Sequence, residues 1–142
     1  MAEKMKKYLA AILCLAVVLS FTGCGGDDSE IEVDINLSKM SETMSHAKAE
    51  TIIGAPNDYV GQTIKIKGKY SYSYWEDSGR YYHDIIVEGS ATCPKMFELD
   101  WETWYGDIPE DGAAIEIIGT LRSYPENGNV YAYIEVKQLE LI

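Results

Sequence analysis

Three side chains of the types that serve as bases, nucleophiles or soft metal ligands stand out: His46, His83 and Cys93. A nucleophilic triad needs a base beside the serine or cysteine, and zinc needs closely spaced ligands. Neither a C-x-x-C nor an H-E-x-x-H motif occurs, and no spacing brings Cys93 to a histidine. The sequence therefore predicts no catalytic residue and no metal site. It favours a hydrogen-bonded, half-buried His83 and a small, partly buried Cys93.

Carboxylates are abundant: 23 Asp and Glu face 12 Lys and Arg, for a net charge of -11. Pairs such as Glu98 with Asp100 could hold a hard cation or serve a glycosidase, but no EF-hand frame is present and nothing selects two of them. No glycine-rich loop has nucleotide-binding spacing, so we expect no cofactor. A field of this sign repels phosphates, so we also expect no nucleic-acid partner.

Tyrosine and tryptophan are frequent, with eleven Tyr and three Trp against two Phe. Their rings combine a large apolar surface with a polar edge, which suits half-exposed binding surfaces. They crowd two segments, and the predicted ligand-binding residues are Tyr72, Tyr74, Trp75, Tyr82, Trp101 and Trp104. Sugar rings, peptides or another protein would fit such a surface. The alternative is that the rings only fill and cover a small domain.

One helix precedes these segments. Apolar or small residues recur at spacings of three and four, and Ser38 is placed to cap the first turn; the face comprises Leu37, Met40, Met44, Ala47 and Thr51. Residues 54–58 end the helix, because Pro56 cannot continue it.

After Gly61 the hydrophobic period becomes two, which predicts strands over residues 64–74, 81–88, 96–102, 114–124 and 130–141. Turn residues separate them at 76–79, 109–112 and 126–129. Gly68 and Gly119 fall inside strands, where a bulge or sharp bend is expected. Five strongly bent strands favour a small barrel over a sandwich.

Two segments carry a family resemblance. Residues 57–68 (NDYVGQTIKIKG) and 114–120 (AIEIIGT) resemble the OB-fold domains of bacterial envelope lipoproteins. The resemblance covers roughly Met40 to Ile142. It implies a mainly β fold: a five-stranded OB-like barrel preceded by one α-helix, after a signal peptide and a flexible tether. It also implies binding on the face of the second and third barrel strands, and it brings no catalytic residue set.

The first residues resemble a lipoprotein export signal. A basic start at residues 2–8 leads into the apolar run Leu9 to Phe21, and Phe21-Thr22-Gly23-Cys24 resembles a lipobox. We expect residues 1–23 to be the signal peptide, Cys24 to be the lipidated (palmitate-carrying) residue, and 24–36 to be an acidic tether before the domain at 37–142. Two acyl chains would anchor the protein stably at the cell membrane, on its extracytoplasmic face.

Removal of the signal takes three lysines and one glutamate, which leaves 9 basic against 22 acidic residues and a net charge of -13. Cys93 would then remain without a partner for an intramolecular disulfide. The sequence predicts a non-enzymatic binding module whose ligand is an envelope protein, a peptide or a sugar. The alternatives are an accessory structural subunit docking on an envelope complex and, last, a small envelope hydrolase using paired carboxylates.

Overall fold

A computed structural model describes residues 30–89 and 93–142 of the chain. The predicted export signal and Cys24 lie outside these residues. The described elements are β1 (Ile35–Asn36), α1 (Glu42–Gly54), β2 (Thr63–Trp75), β3 (Arg80–Val87), β4 (Lys95–Asp100), β5 (Ala114–Glu126) and β6 (Asn129–Leu141), with short 3₁₀ turns at Leu37–Lys39 and Pro56–Asp58. Within this part of the chain, no helix has the length and apolar character needed to cross a membrane.

Five strands close into a barrel in the order β2-β3-β4-β6-β5, and β5 returns to pair with β2. The β4–β6 pairing is parallel and the other barrel pairings are antiparallel. The short β1 adds to β2 in parallel. A five-stranded barrel of this connectivity is an OB-like fold, so the predicted mainly β class is confirmed.

Two glycines allow the barrel to bend. β2 pairs with β5 over its first half and with β3 over its second half, and Gly68 lies next to the residue where the partner changes. A Cβ at Gly68 would collide with the main-chain oxygen of Ile86. Gly119 lies at a register shift between β5 and β6, and a Cβ there would collide with the side chain of Ile134. The predicted irregularity is confirmed at Gly119, whereas the pairing of β2 with β5 through Gly68 keeps a regular register.

The third barrel strand is shorter than the sequence predicts. It ends at Asp100 rather than Glu102, because the Asp100 carboxylate accepts hydrogen bonds from the main-chain N–H of Glu102 (3.1 Å) and Thr103 (3.4 Å) and from the Thr103 hydroxyl (3.1 Å). Such an Asx turn diverts the backbone from the ladder. Trp101 therefore leaves the strand.

Branched aliphatic side chains fill the barrel, and α1 contacts β3, β4 and β6. Residues without exposed surface include Ile64, Ile66, Ile85, Phe97, Ile115, Ile117 and Ile134 from the strands and Ala49 and Ile52 from the helix. Burying each large side chain contributes roughly 1.5–3 kcal/mol. The helix and the strands thus share one apolar core.

The helix begins later and buries another face than the sequence predicts. Its N-cap is Ser41, whose hydroxyl accepts the N–H of Met44 at 3.4 Å, and not Ser38. The predicted face is wrong, since Met44, Ala47 and Thr51 are exposed while Ser45, Ala49 and Ile52 are buried. The reason is that Leu37–Lys39 forms a separate 3₁₀ turn, so the helical phase does not start at Leu37.

Residues before the predicted domain start at residue 37 also pair with the sheet. Asp34 exchanges hydrogen bonds with Thr63: its carboxylate accepts the Thr63 N–H (2.7 Å) and its own N–H donates to the Thr63 carbonyl (2.9 Å). Ile35 pairs with Ile64 and is buried. The last residues assigned to the tether are therefore part of the barrel, because one isoleucine among them completes the core.

Candidate binding groove

A groove of about 590 Å³ opens over β3 and β4, beside the β5–β6 hairpin. Throughout, "the groove" means the space lined by Arg80, Tyr81, Tyr82, His83, Glu98, Leu99, Asp100, Trp101, Glu102, Tyr124, Pro125, Glu126 and Tyr133. β3 and β4 are the second and third strands of the barrel. The groove thus occupies the surface that OB barrels commonly use for ligands.

The β5–β6 hairpin forms one wall of the groove. A two-residue turn closes this hairpin, with Asn127 at φ 50° and Gly128 at φ 81°, the left-handed values that such turns require. The rings of Tyr124 and Tyr133 lie 5.9 Å apart, and the Tyr124 hydroxyl donates to Oε2 of Glu98 at 2.7 Å. Burial and this hydrogen bond raise the pKa of Tyr124 above its usual range. The tyrosine wall is therefore held in place from β4.

Two carboxyl groups lie side by side at the edge of the groove. Asp84 on β3 and Glu98 on β4 are directly opposite each other in the ladder. Burial, and then the charge of Glu98, raise the pKa of Asp84 to about 6. No ion pair within residues 30–89 and 93–142 involves either group. Like charges at directly opposite positions destabilise a sheet, so this pair is a local excess of negative charge.

The charges that line the groove are mostly negative. Four acidic side chains face one basic side chain; they are Glu98, Asp100, Glu102 and Glu126 against Arg80. The nearby Arg122, opposite Tyr133 in the β5–β6 ladder, is bound to Glu135 at 2.9 Å. The groove therefore combines aromatic walls with a negative field.

A packed cluster of Tyr70, His83 and Trp101 forms part of the groove wall. The Tyr70 hydroxyl is 2.6 Å from Nδ1 of His83, and His83 stacks on Trp101 with ring centres 5.0 Å apart. Burial lowers the pKa of His83, which favours the neutral ring near neutral pH. The neutral ring accepts a hydrogen bond from the Tyr70 hydroxyl. Burial likewise raises the pKa of Tyr70 to about 12. The predicted hydrogen-bonded, half-buried His83 is confirmed.

The six predicted binding residues do not form one patch. Adjacent strand residues point to opposite faces, so Tyr74 and Trp75 separate. Tyr72 and Tyr74 join Tyr81, with ring centres 5.0 and 4.8 Å from it, whereas Trp75 contacts Tyr82 edge-on at 6.2 Å. Trp104 packs against the core. Of the six, Tyr82 and Trp101 line the groove.

Sequence reasoning missed the contribution of the last two strands. Tyr124 and Tyr133 line the groove although they lie far from β3 along the chain. Alternation in β5 and β6 could have placed both rings on the outer face. Their position beside Glu98 depends on the parallel pairing of Glu98 with Tyr133, which no local pattern reveals.

Cys93 differs from its predicted environment: it is exposed rather than partly buried. It precedes β4 and lies outside the ladder, so the general preference of cysteine for burial does not hold here. Nε2 of His46 lies 2.9 Å from the main-chain carbonyl oxygen of Cys93. Across the described ranges, no three His, Cys, Asp or Glu side chains gather in a way that could hold a metal ion.

No protein-family profile and no curated protein sequence matches the chain. Among solved structures, it is similar to the dimeric N-terminal domain of the PriB protein from Thermoanaerobacter tencongensis. The identity is 19%, the match covers 56% of this chain and 94% of that chain, and the TM-score is 0.36. This likeness concerns the fold alone, and the strand order described above is what identifies the OB-like barrel.

The expected exclusion of nucleic acid is wrong. The chain forms an OB-like barrel, and oligonucleotides are common ligands of the corresponding face of such barrels. Bases stack on aromatic side chains whatever their sequence. A negative charge alone therefore does not exclude nucleic acid as a ligand.

Proposed function

We propose that this protein is a lipid-anchored, extracytoplasmic binding module that holds an extended ligand in the groove. The observation that carries this proposal is the groove itself, because ordered aromatic walls meet hydrogen-bond acceptors on the common ligand face of an OB-like barrel. Preformed walls lower the entropy that binding must overcome.

The side chains of the groove support binding rather than reaction. His83 is engaged by Tyr70 and Trp101, and the Tyr124 hydroxyl is engaged by Glu98. What remains open to a ligand is ring surface and carboxylate oxygen. Such a lining suits the planar or chain-like groups of peptides, oligosaccharides and single-stranded oligonucleotides.

The ligand proposal is tested by a thermal-shift screen of the full-length protein in detergent. The probes are short peptides, cell-wall oligosaccharides and a single-stranded oligonucleotide. A ligand at about 100 times its Kd adds roughly 2.7 kcal/mol to stability. We expect at least one class to give a saturable shift that Tyr82→Ala removes.

The matched control is Tyr105→Ala, since Tyr105 is 96% exposed and lies outside the groove. It should leave the shift unchanged. A shift that survives Tyr82→Ala as well as Tyr105→Ala would place the ligand elsewhere on the molecule and contradict the proposal.

The anchor is part of the same proposal and depends on the lipobox-like residues Phe21-Thr22-Gly23-Cys24. Cys24→Ser should abolish fatty-acid labelling of the protein and leave it unprocessed, because serine cannot accept the thioether-linked lipid. Labelling of this variant at the normal level would rule out Cys24 as the site.

A second candidate function is an accessory subunit that docks on an envelope complex. It is favoured by the aromatic surface beside the groove, where Tyr72 and Tyr74 pack on Tyr81 and are 41% and 53% exposed. Under this alternative, replacing both tyrosines by serine would remove cross-links to a partner while leaving binding in the groove intact. If replacing Tyr82 abolishes ligand binding but leaves the cross-links to the partner, the first function is favoured instead.

A further inference from the structure

We propose that the groove selects an extended peptide carrying lysine or arginine side chains, which it holds between tyrosine rings and carboxylates. This inference rests on the proposed function, because it names the ligand class of the same groove. The carboxylates that would receive the cations are Glu98, Glu102 and Glu126.

These carboxylates can accept further hydrogen bonds. Oε2 of Glu98 accepts the Tyr124 hydroxyl, and no hydrogen bond among the described residues involves its Oε1. The Asp100 carboxylate, by contrast, is occupied by the turn that follows β4. Glu102 and Glu126 are exposed, and no ion pair of the described residues involves them. A carboxylate next to an incoming guanidinium or ammonium forms a short, charge-assisted hydrogen bond.

Asp84 is a further reason to expect a positively charged ligand rather than a neutral one. Its carboxyl lies opposite Glu98 and has no hydrogen-bond or ion-pair partner within the described ranges. A positive group beside Glu98 would relieve the repulsion between the two carboxyls, whereas a neutral ligand would leave it in place. The selectivity for charge therefore follows from an interaction that is unfavourable in the free protein.

Aromatic rings complete the site for this class of side chain. Tyr82, Tyr124 and Tyr133 line the same space as the carboxylates. A cation within about 6 Å of a ring centre is attracted to its face, and the methylene stems of lysine and arginine pack on apolar ring surface. Ring stacking alone would serve a neutral sugar equally well, so the carboxylates decide the class.

The shape of the site indicates a peptide rather than a single amine. A volume of about 590 Å³ is far larger than one ammonium group needs, and the acceptors are spread from β4 to the β5–β6 hairpin. β3 pairs with β4 only from Asp84 to Val87, so the main chain of Arg80–His83, which lines the groove, has one edge without a ladder partner. An extended peptide could pair with this edge, while several cations along its chain satisfy several carboxylates.

The test uses full-length protein in detergent and fluorescence polarisation with labelled peptides of equal length. The first peptide contains lysine and arginine, and the second replaces them by acetyl-lysine and citrulline, which keep the shape and remove the charge. Spermidine serves as the free-amine competitor. We expect the basic peptide to bind at least tenfold more tightly than the neutral one, and spermidine to compete only at much higher concentration.

Variants test whether the preference for the basic peptide arises in the groove. Glu98→Gln and Glu126→Gln should each weaken the basic peptide severalfold and leave the neutral peptide unchanged, while Glu32→Gln, an exposed site outside the groove, should do neither. Equal affinity for the two peptides, or no binding of either, would overturn the inference. Spermidine competing as well as the peptide would overturn the assignment to a peptide.

These outcomes are distinct from failure of the proposed function. If the two peptides bind equally and Tyr82→Ala still abolishes binding, the groove is a binding site without charge selectivity. If Tyr82→Ala has no effect on any probe of the wider screen, the groove itself is not the site, and both proposals fail.

Discussion

The apolar core and the groove are built from the same sheet but differ in how far their side chains are satisfied within the protein. In the core that the barrel shares with α1, the side chains of Ile64, Ile117, Ile134 and Ile52 have no exposed surface and belong to one cluster of apolar residues. Around the groove, tyrosine rings are half-exposed and two carboxyls face each other without a cation. The first region minimises free energy by burial, and the second retains groups that a ligand could satisfy.

This difference indicates that stability and binding are carried by different residues. Substitutions in the core should lower the free energy of unfolding and affect binding only through unfolding. Substitutions in the groove should change binding and leave the free energy of unfolding unchanged or increased, as is common for sites that keep unfavourable charge.

The largest effect is expected from Phe97→Ala. Phe97 is fully buried on β4, and truncating a buried phenylalanine costs about 3–5 kcal/mol, a large fraction of a small domain's stability. Urea unfolding followed by far-UV circular dichroism measures this loss. The conservative control Phe97→Leu should cost less than half as much. A loss below about 1 kcal/mol for the alanine variant would show that the apolar core is not the main source of stability.

A smaller loss, about 1–3 kcal/mol, is expected from Gly119→Ala, because the added Cβ would force Ile134 and the β5–β6 ladder to shift. Gly54→Ala is the matched control: a Cβ there meets no atom within 4 Å, at the end of α1, so it should raise stability by up to about 1 kcal/mol. Urea midpoints that move in the same direction for both variants would contradict the assigned bend.

Beside the groove, opposite Glu98, the substitution Asp84→Asn should increase stability at neutral pH. The pKa of Asp84 is raised from 3.8 to about 6 in the folded protein, so between these values the folded state binds more protons than the unfolded state. The free energy of unfolding of the natural protein therefore falls as the pH rises from about 4 to 6. Asparagine removes this pH dependence, and we expect the free energy of unfolding to be about 1 kcal/mol higher for the variant at pH 7.

The same pair of proteins provides the control at low pH. Near pH 4, where Asp84 is protonated in the folded protein, the two should have nearly equal melting temperatures. A variant less stable than the natural protein at pH 7 would mean that Asp84 has a favourable partner and that the groove does not hold uncompensated charge.

The sequence predicted the elements much better than the groove. The five strands follow from a period of two, and the irregularity at Gly119 follows from a residue that lacks a Cβ. The buried face of α1 was mispredicted because a 3₁₀ turn at Leu37–Lys39 resets the helical phase. Tyr82 and Trp101 were predicted as binding residues, but their grouping with Tyr124 and Tyr133 depends on long-range pairing of β4 with β6. The exclusion of nucleic acid was wrong because it was drawn from charge alone, although oligonucleotides are common ligands of this face of OB-like barrels.

The most direct test of the groove is an amide NMR titration of the full-length, isotope-labelled protein in detergent with the basic peptide, a cell-wall oligosaccharide and a single-stranded oligonucleotide. If the groove is the binding site, the shifts caused by whichever probe binds will concentrate at Arg80, Tyr82, Glu98, Trp101, Glu126 and Tyr133. Shifts centred on Tyr72 and Tyr74, or on α1, with the groove unchanged, would contradict the account.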